Sequence, residues 1–334
     1  MIREIVSPAF LAASAIGLIV LLGIPLLSEE YTLFNLTVFA VMALMAMSLN
    51  LVWGIGGILS LGQAVFFGLG GYAYAITAMN VDSSSWGLVA AMAVPAVFAL
   101  LMGYFTFYGR ISDVYFGVVS LTLSLIMYNL VNSTSGDFYR IGSVQIGGYN
   151  GIPSVPPISL PGASEPLDFA GMYYLAGGAM LLAYLGTRLF VKTPFGRVVI
   201  SIRENELRAE LLGYDVRRYK LLVFILGAVL SGIAGALFAA WGAFIGPDNF
   251  AVGFAAQTII WVLFGGLGTL IGPVVGAMLI TGLTTWLGSV RLLEPNIVLG
   301  LVFVISVLVL PTGVVPAVQK YGARFLKSGK GARS

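Results

Sequence analysis

The sequence predicts an all-α polytopic membrane protein of about ten transmembrane helices, on three observations. Apolar residues make up 59% of the 334-residue chain and charged residues 9%, with a mean hydropathy of +0.98, outside the composition of soluble domains. The apolar residues are gathered into runs of the length a helix needs, roughly 17 to 25 residues, to cross a hydrocarbon core. When those runs are taken as spans, the basic residues fall overwhelmingly on one side.

In chain order the predicted spans are 10–27, 33–52, 61–79, 86–108, 114–131, 172–191, 221–244, 252–267, 270–290 and 297–315. The first has Ala12, Ala13 and Ala15 at its start instead of small residues after its end, so it reads as a retained anchor and not a cleaved leader. With the N-terminus in the cytoplasm, 15 of the 17 Lys and Arg are cytoplasmic and only Arg140 and Arg291 lie outside. Both termini are then cytoplasmic. The basic tail, 316–334, reads as a topology signal with affinity for anionic lipid headgroups, and not as a nucleic-acid site. Between the eighth and ninth spans, FGGLGTLIGP suits either a tight turn or a break within one re-entrant element.

The absence of both cysteine and histidine excludes disulfides, thiolate or imidazole metal sites and histidine acid–base chemistry. No ionisable residue sits at the centre of a predicted span, which argues against an intramembrane enzyme or a proton-driven carrier. The P-loop pattern is missing, so the chain has no nucleotide site of that kind. Uncharged polar residues do occur in or beside the spans. Asn50, Gln63, Ser120, Ser124 and Asn129 are the candidates for lining the path of a small polar solute, with interhelical hydrogen bonding as the competing reading for each.

Glycine, at 43 residues, is concentrated within spans. Gly227, Ser231, Gly235 and Ala239 recur every fourth residue on the seventh span, and Gly272 and Gly276 form a GxxxG on the ninth, so helix backbones are expected to approach closely there. The runs GIGGILSLGQ (54–63) and FGGLGTLIGP (264–273) look alike and both fall at cytoplasmic turns. That hints at an internal duplication, whose related positions are where many transporters break helices.

Two polar segments stand out. The external one, 132–170, is longer than most structureless connections; a short helix or hairpin stiffened by Pro153, Pro156 and Pro157 competes with a mobile loop. The cytoplasmic one, 192–220, contains TPFGRVVISIRENELRAELLGYDVRRYK. Pro194 and Phe195 open a helix with Val198 and Ile202 on one face; beyond Arg203, Leu207 and Leu211 share another, and Glu204 and Arg208 form an i, i+4 pair. Gly213 is the expected C-terminal cap and Asp215 starts the next helix. An interfacial helix resting on lipid is the alternative, but Glu204, Glu206 and Glu210 favour docking to a protein.

The stretch GRVVISIRENELRAELLGYDVRRYKLLVFILGAVLSGIAGALFA (196–239) resembles the coupling segment and following helix of the permeases of branched-chain amino acid ABC importers, a group that includes urea and short-chain amide permeases. The resemblance continues in MSLNLVWGIGGILSLGQAVFFGLGGYAYA (47–75), YFGVVSLTLSL (115–125), GGYNGIP (147–153) and FGGLGTLIGPVVGA (264–277). It implies a fold like that of the ten-helix cobalamin-type (type II) importers, one permease domain over 1–334 with two inverted halves, in a bacterial or archaeal inner membrane. It also implies that Gly196, Arg197, Arg203, Glu204, Asn205, Glu206, Ala209 and Gly213 form the segment seated in a groove of an ATPase subunit.

On the same resemblance, ATP and Mg belong to two partner ATPase subunits, this chain is not an enzyme and holds no cofactor, a second related permease completes the path, and an extracytoplasmic binding protein delivers substrate. Branched-chain amino acid members commonly carry an acid and a base on the fifth span, where this chain has Leu125 and Tyr128. The substrate therefore stays open between hydrophobic amino acids and an uncharged solute such as urea or an amide. A channel or secondary carrier would also give glycine-rich, uncharged spans, but has no use for the coupling segment.

Overall fold

The computed structural model describes residues 8–159, 165–290, 297–298, 300–301, 304, 308 and 312–320. About half of the predicted tenth span, 297–315, lies outside the described residues. The chain runs through α1 (Pro8–Leu27), α2 (Glu30–Leu49), which continues into a wider π-turn at Asn50–Ile55, α3 (Ala64–Val81), α4 (Ser84–Tyr108) and α5 (Asp113–Ser133). It continues as α6 (Phe169–Lys192), the short α7 (Pro194–Glu204) and α8 (Glu206–Leu211), then α9 (Val216–Gly242), α10 (Val252–Gly265) and α11 (Gly272–Val290). Among the described residues, the second span with its π-turn, α3, α4, α5, α6 and α9 are each long and apolar enough to cross a membrane. The molecule is a multi-pass membrane protein.

Helices α3, α4 and α9 pack at backbone contact distance because glycine removes the side chain where they cross. A Cβ at Gly70 would lie 2.6 Å from the carbonyl carbon of Gly232, and one at Gly232 would lie 2.7 Å from Cγ of Pro95. In lipid, where apolar side chains gain nothing by leaving the solvent, such close packing is what holds spans together. The glycine repeat on α9 performs this role.

At the end of the bundle that carries the polar segment, here the insert end, four phenylalanines lock neighbouring spans. Phe107 of α4 stacks on Phe116 of α5 at 5.1 Å, and Phe224 of α9 meets Phe66, Phe107 and Phe116 edge-on at 5.2 to 5.8 Å. Such pairs contribute about 0.5–1.5 kcal/mol each beyond their buried area.

The predicted eighth span is shorter than expected. α10 has 14 residues, about 21 Å at 1.5 Å per residue, against a core of about 30 Å. It is entered through a 3-10 turn, Pro247–Phe250, and ends at Gly266 with φ +122°. The run FGGLGTLIGP is thus a tight turn between α10 and α11.

At the opposite, far end, the 132–170 segment is folded. Strands β1 (Arg140–Ile141) and β2 (Val144–Gln145) pair antiparallel, and β3 (Ile152–Pro153) pairs with β4 (Phe244–Ile245) beyond α9. Tyr74 donates to the Pro156 carbonyl at 2.9 Å and Asn80 to that of Ile141 at 2.9 Å. The hairpin reading of this segment fits, and residues 160–164 lie outside the description.

Candidate functional site

The insert is built by three successive caps. Thr193 accepts from the Gly196 N–H at 3.0 Å, with Pro194 supplying the first turn of α7, where a missing N–H costs nothing. Asn205 then adopts an extended backbone, φ −158°, and accepts from the Arg208 N–H at 2.8 Å, ending α7 and starting α8. After Gly213, at φ +90°, Asp215 accepts from the Arg218 N–H at 3.4 Å and opens α9.

The break at Asn205 corrects one expectation. Glu204 closes α7 while Arg208 belongs to α8, so the two do not share a helix face and no i, i+4 pair forms. Asn205 is a strong N-cap residue, and here its capping outweighs the continuity that a single helix would need.

Ile202 of α7, Ala209 of α8 and Val216 of α9 are all buried, with Val198 and Tyr219 packed around them. Tyr219 also lies 4.7 Å from the Phe195 ring. The insert therefore has its own small core and holds its shape as a unit. Its outer surface is different: Leu207, Leu211 and Leu212 are 67, 80 and 70% exposed. Three neighbouring leucines are thus presented together on the outer surface of the insert.

Two polar contacts tie this unit to the spans. Arg203 Nη1 donates to the Gly54 carbonyl, and its stem fills the space over Gly57, where a Cβ would lie 2.6 Å from Arg203 Cγ. Lys220 Nζ lies 2.6 Å from Glu206 Oε2 of α8 and 3.1 Å from Asp113 Oδ1 of α5, with its side chain only 10% exposed. Of the eight coupling residues expected from the sequence, Gly196, Asn205, Ala209 and Gly213 shape the unit, and Arg203 and Glu206 fasten it. Arg197 and Glu204 lie on its exposed surface. Lys220 and Asp113 were not singled out, because their partnership spans 107 residues and leaves no local pattern.

Next to Arg203 the two look-alike glycine runs meet. The π-turn places Asn50 so that its Nδ2 donates to the Thr269 carbonyl at 2.9 Å while its Oδ1 accepts from the Gly268 N–H at 2.8 Å. A Cβ on Gly54 would lie 2.6 Å from the Gly268 nitrogen. Asn50 thus substitutes one side chain for the backbone partners lost where both elements leave regular helix.

The other predicted lining residues are also placed. Gln63 is buried, donating to Ser48 Oγ at 3.3 Å and accepting from Ser60 at 3.2 Å. Ser120 is buried on α5, accepts from the Leu61 N–H at 3.0 Å and donates to the Gly117 carbonyl at 2.8 Å. Ser124 donates to the Phe250 carbonyl at 2.7 Å. Asn129 is exposed and donates to the Leu125 carbonyl of its own helix at 2.8 Å. In this conformation four of the five join elements together, and Asn129 faces out. At the far end, a cavity of about 650 Å³ between α2, α9 and α10 is lined by Met42, Phe238, Asp248, Phe254, Gln257 and Ile260, among others.

Comparison with known proteins matches residues 31–310 to the family described as branched-chain amino acid transport system, permease component. The high-affinity branched-chain amino acid transport system permease protein LivM of Escherichia coli strain K12 is 27% identical over 77% of this chain and 63% of its own length. The LivM protein of Salmonella typhimurium is 27% identical over 73% of the chain and 60% of its own length, so the chain spans about three-fifths of these relatives. The LivH permease protein of Salmonella typhimurium is 27% identical over 88% of the chain and 100% of its own length. No solved structure matches the chain. With 31–310 of its residues matched, this chain belongs to the branched-chain amino acid transport system permease family.

Proposed function

We propose that the chain is the membrane permease subunit of a binding-protein-dependent ABC importer for branched-chain or other hydrophobic amino acids, with its insert as the coupling segment on which the ATPase subunits act. The observation that carries this is the insert itself: a capped, self-packed unit that presents Leu207, Leu211 and Leu212 outward and is fastened to the spans by Arg203 and Lys220. ATP and Mg are held by the partners. A second permease of the family completes the path, in a type II arrangement of ten helices, with the insert end in the cytoplasm of a prokaryotic inner membrane. The folded far-end segment, where Phe138 and Tyr149 are 91 and 76% exposed, faces the binding protein.

The far-end cavity supports an amino acid as substrate. Its apolar wall suits an aliphatic side chain, and Asp248 offers a carboxylate to an α-ammonium group. A second reading, urea or a short-chain amide, draws on the uncharged interior of α5, where no acid or base follows Asp113 up to Ser133.

The test is Leu207→Asp with Leu211→Asp in the reconstituted complex. Both side chains are exposed, so insertion and pairing with the second permease are expected to stay intact. Co-purification of the ATPase subunits should fall about tenfold or more, as for loss of buried anchors in an interface, and tracer uptake of leucine should be lost with it. A single cysteine at Ser201 should react with an impermeant thiol reagent only after permeabilisation. Normal ATPase binding and uptake in the double variant, or labelling of Ser201→Cys in intact cells, would overturn the reading and move it toward a channel or carrier.

A further inference from the structure

We propose that Lys220 is the positioning residue through which movement of the insert is delivered to α5, the insert and the base of that helix moving as one body. This rests on the reading that ATPase subunits act on the insert.

Three features carry the inference. First, Lys220 belongs to the second turn of α9 but joins two other elements, Glu206 at the start of α8 and Asp113 at the start of α5. Secondly, its burial is asymmetric: the lysine side chain is 10% exposed while Asp113 and Glu206 are 43 and 48% exposed. The carboxylates can reach water by themselves, but the ammonium has given up most of its water and depends on both of them. An ammonium in that setting is costly to leave unpaired. Separating the insert from α5 would do that, so the contact favours their moving together. A cavity of about 190 Å³ beside it is lined by Arg110, Asp113, Glu206, Glu210, Arg217 and Lys220, among others. Phe107 and Ile111 complete its lining, so the charged group sits beside the aromatic cluster that joins α4 to α5.

Thirdly, α5 is held along one face only. Val114, Tyr115, Val118, Leu125, Ile126 and Leu130 on it are exposed, while its other face is fixed by Phe116 in the aromatic cluster, Gly117 against Leu59, two serine hydrogen bonds and Val131 in the main core. The two serine contacts lie at different depths: Ser120 takes the Leu61 N–H within the first glycine run, whose Gly54 and Gly57 meet Arg203 of the insert, and Ser124 holds the Phe250 carbonyl of the 3-10 turn that leads into α10. A stiff 21-residue helix pushed at Asp113 thus acts on both. The alternative role for Lys220, merely stabilising the insert's shape, is already served by the core of Ile202, Ala209 and Val216.

The experiment uses the full complex with its second permease, ATPase subunits and binding protein in proteoliposomes. Lys220→Met and Asp113→Asn are expected to keep the ATPase subunits bound and to keep basal hydrolysis, while substrate-stimulated hydrolysis and uptake per ATP fall about tenfold, within the range of a coupling free energy. Lys220→Arg, which can still meet both carboxylates, should restore most of the uptake. Because the chain has no cysteine, Asp113→Cys with Lys220→Cys can be bridged by a short bifunctional thiol reagent. The unbridged pair should be uncoupled, and bridging should return uptake, reversibly on reduction.

Uptake per ATP that stays at the wild-type level in Lys220→Met would overturn the proposal. So would a bridged pair that remains inactive, because a covalent link is harmless only if the two elements move together. Loss of ATPase binding in Lys220→Met would make the residue part of the docking surface instead, which also overturns it. Failure of the unaltered chain to bind ATPase subunits, or uptake independent of ATP, would instead sink the underlying reading of the insert.

Discussion

The second and fifth spans are both apolar helices bearing a few uncharged polar residues, yet the fold uses them in opposite ways. Of the most apolar stretch of the second span 89% is buried, against 28% for the fifth. The second is broken into a π-turn at Asn50–Ile55, and other elements close on the break and the residues after it: Val52 under Gly227, Gly54 against Gly268, Gly57 under Arg203. The fifth is unbroken and packs along one face, from Phe116 to Val131. Asn50 in the crowded span therefore repairs backbone, while Ser120 and Ser124 on the more exposed span each bond one group of a neighbouring element. What a polar residue does follows from the packing around it and not from its identity.

The comparison breaks most visibly at Gly54. Its Cβ would meet the Gly268 backbone at 2.6 Å, and neither side can yield without moving main chain. Gly54→Leu is expected to cost more than about 4 kcal/mol, the level reserved for severe core disruption, and to leave little folded protein on size-exclusion chromatography. A monodisperse peak at normal yield would mean that the two glycine runs are not held together.

A smaller effect is expected at Asn50. Asn50→Ala leaves the Gly268 N–H and Thr269 C=O without their partner, and an unsatisfied buried group costs roughly 1–3 kcal/mol. The midpoint of thermal unfolding in detergent should drop by several degrees with the protein still folded. An unchanged midpoint would show that water or lipid replaces the amide.

The fifth span should be the most tolerant. Ser124→Ala removes one bond to the Phe250 carbonyl, worth about 1 kcal/mol. Asn129→Leu, on an exposed helix face, should fall within about 0.5 kcal/mol of the wild type. If the face of α5 lines the path, Asn129→Leu will nevertheless lower uptake while unfolding is unmoved. Normal uptake in Asn129→Leu would assign that face to lipid or a partner.

Much of this was legible in the sequence. Hydropathy gave the spans their order, and Pro194, Gly213 and Asp215 announced the ends of the insert's helices because capping chemistry is local. Asn205 carries the same kind of signal, hidden by the helical pattern of charges around it. What could not be read were pairings set by the fold: Lys220 with Asp113, Arg203 with Gly54, Asn50 with Gly268. The likeness of the two glycine runs was visible, but that they touch depends on how helices cross. The leucines of α8 were visible as a stripe, and only the direction of that stripe, outward, needed the structure.

The clasp at Asn50 also bears on how the chain is made. Its two partners lie 218 and 219 residues further along, and at about 5–20 residues per second a ribosome needs roughly 10–40 s to supply them. Throughout that interval the second span's amide has no native counterpart, and the turn beside it stays unclosed. Closure of the insert end is therefore a late event in biogenesis, after most of the bundle has been inserted. Until the turn at Gly268 and Thr269 arrives, the nascent chain is a bundle with an open seam at Asn50.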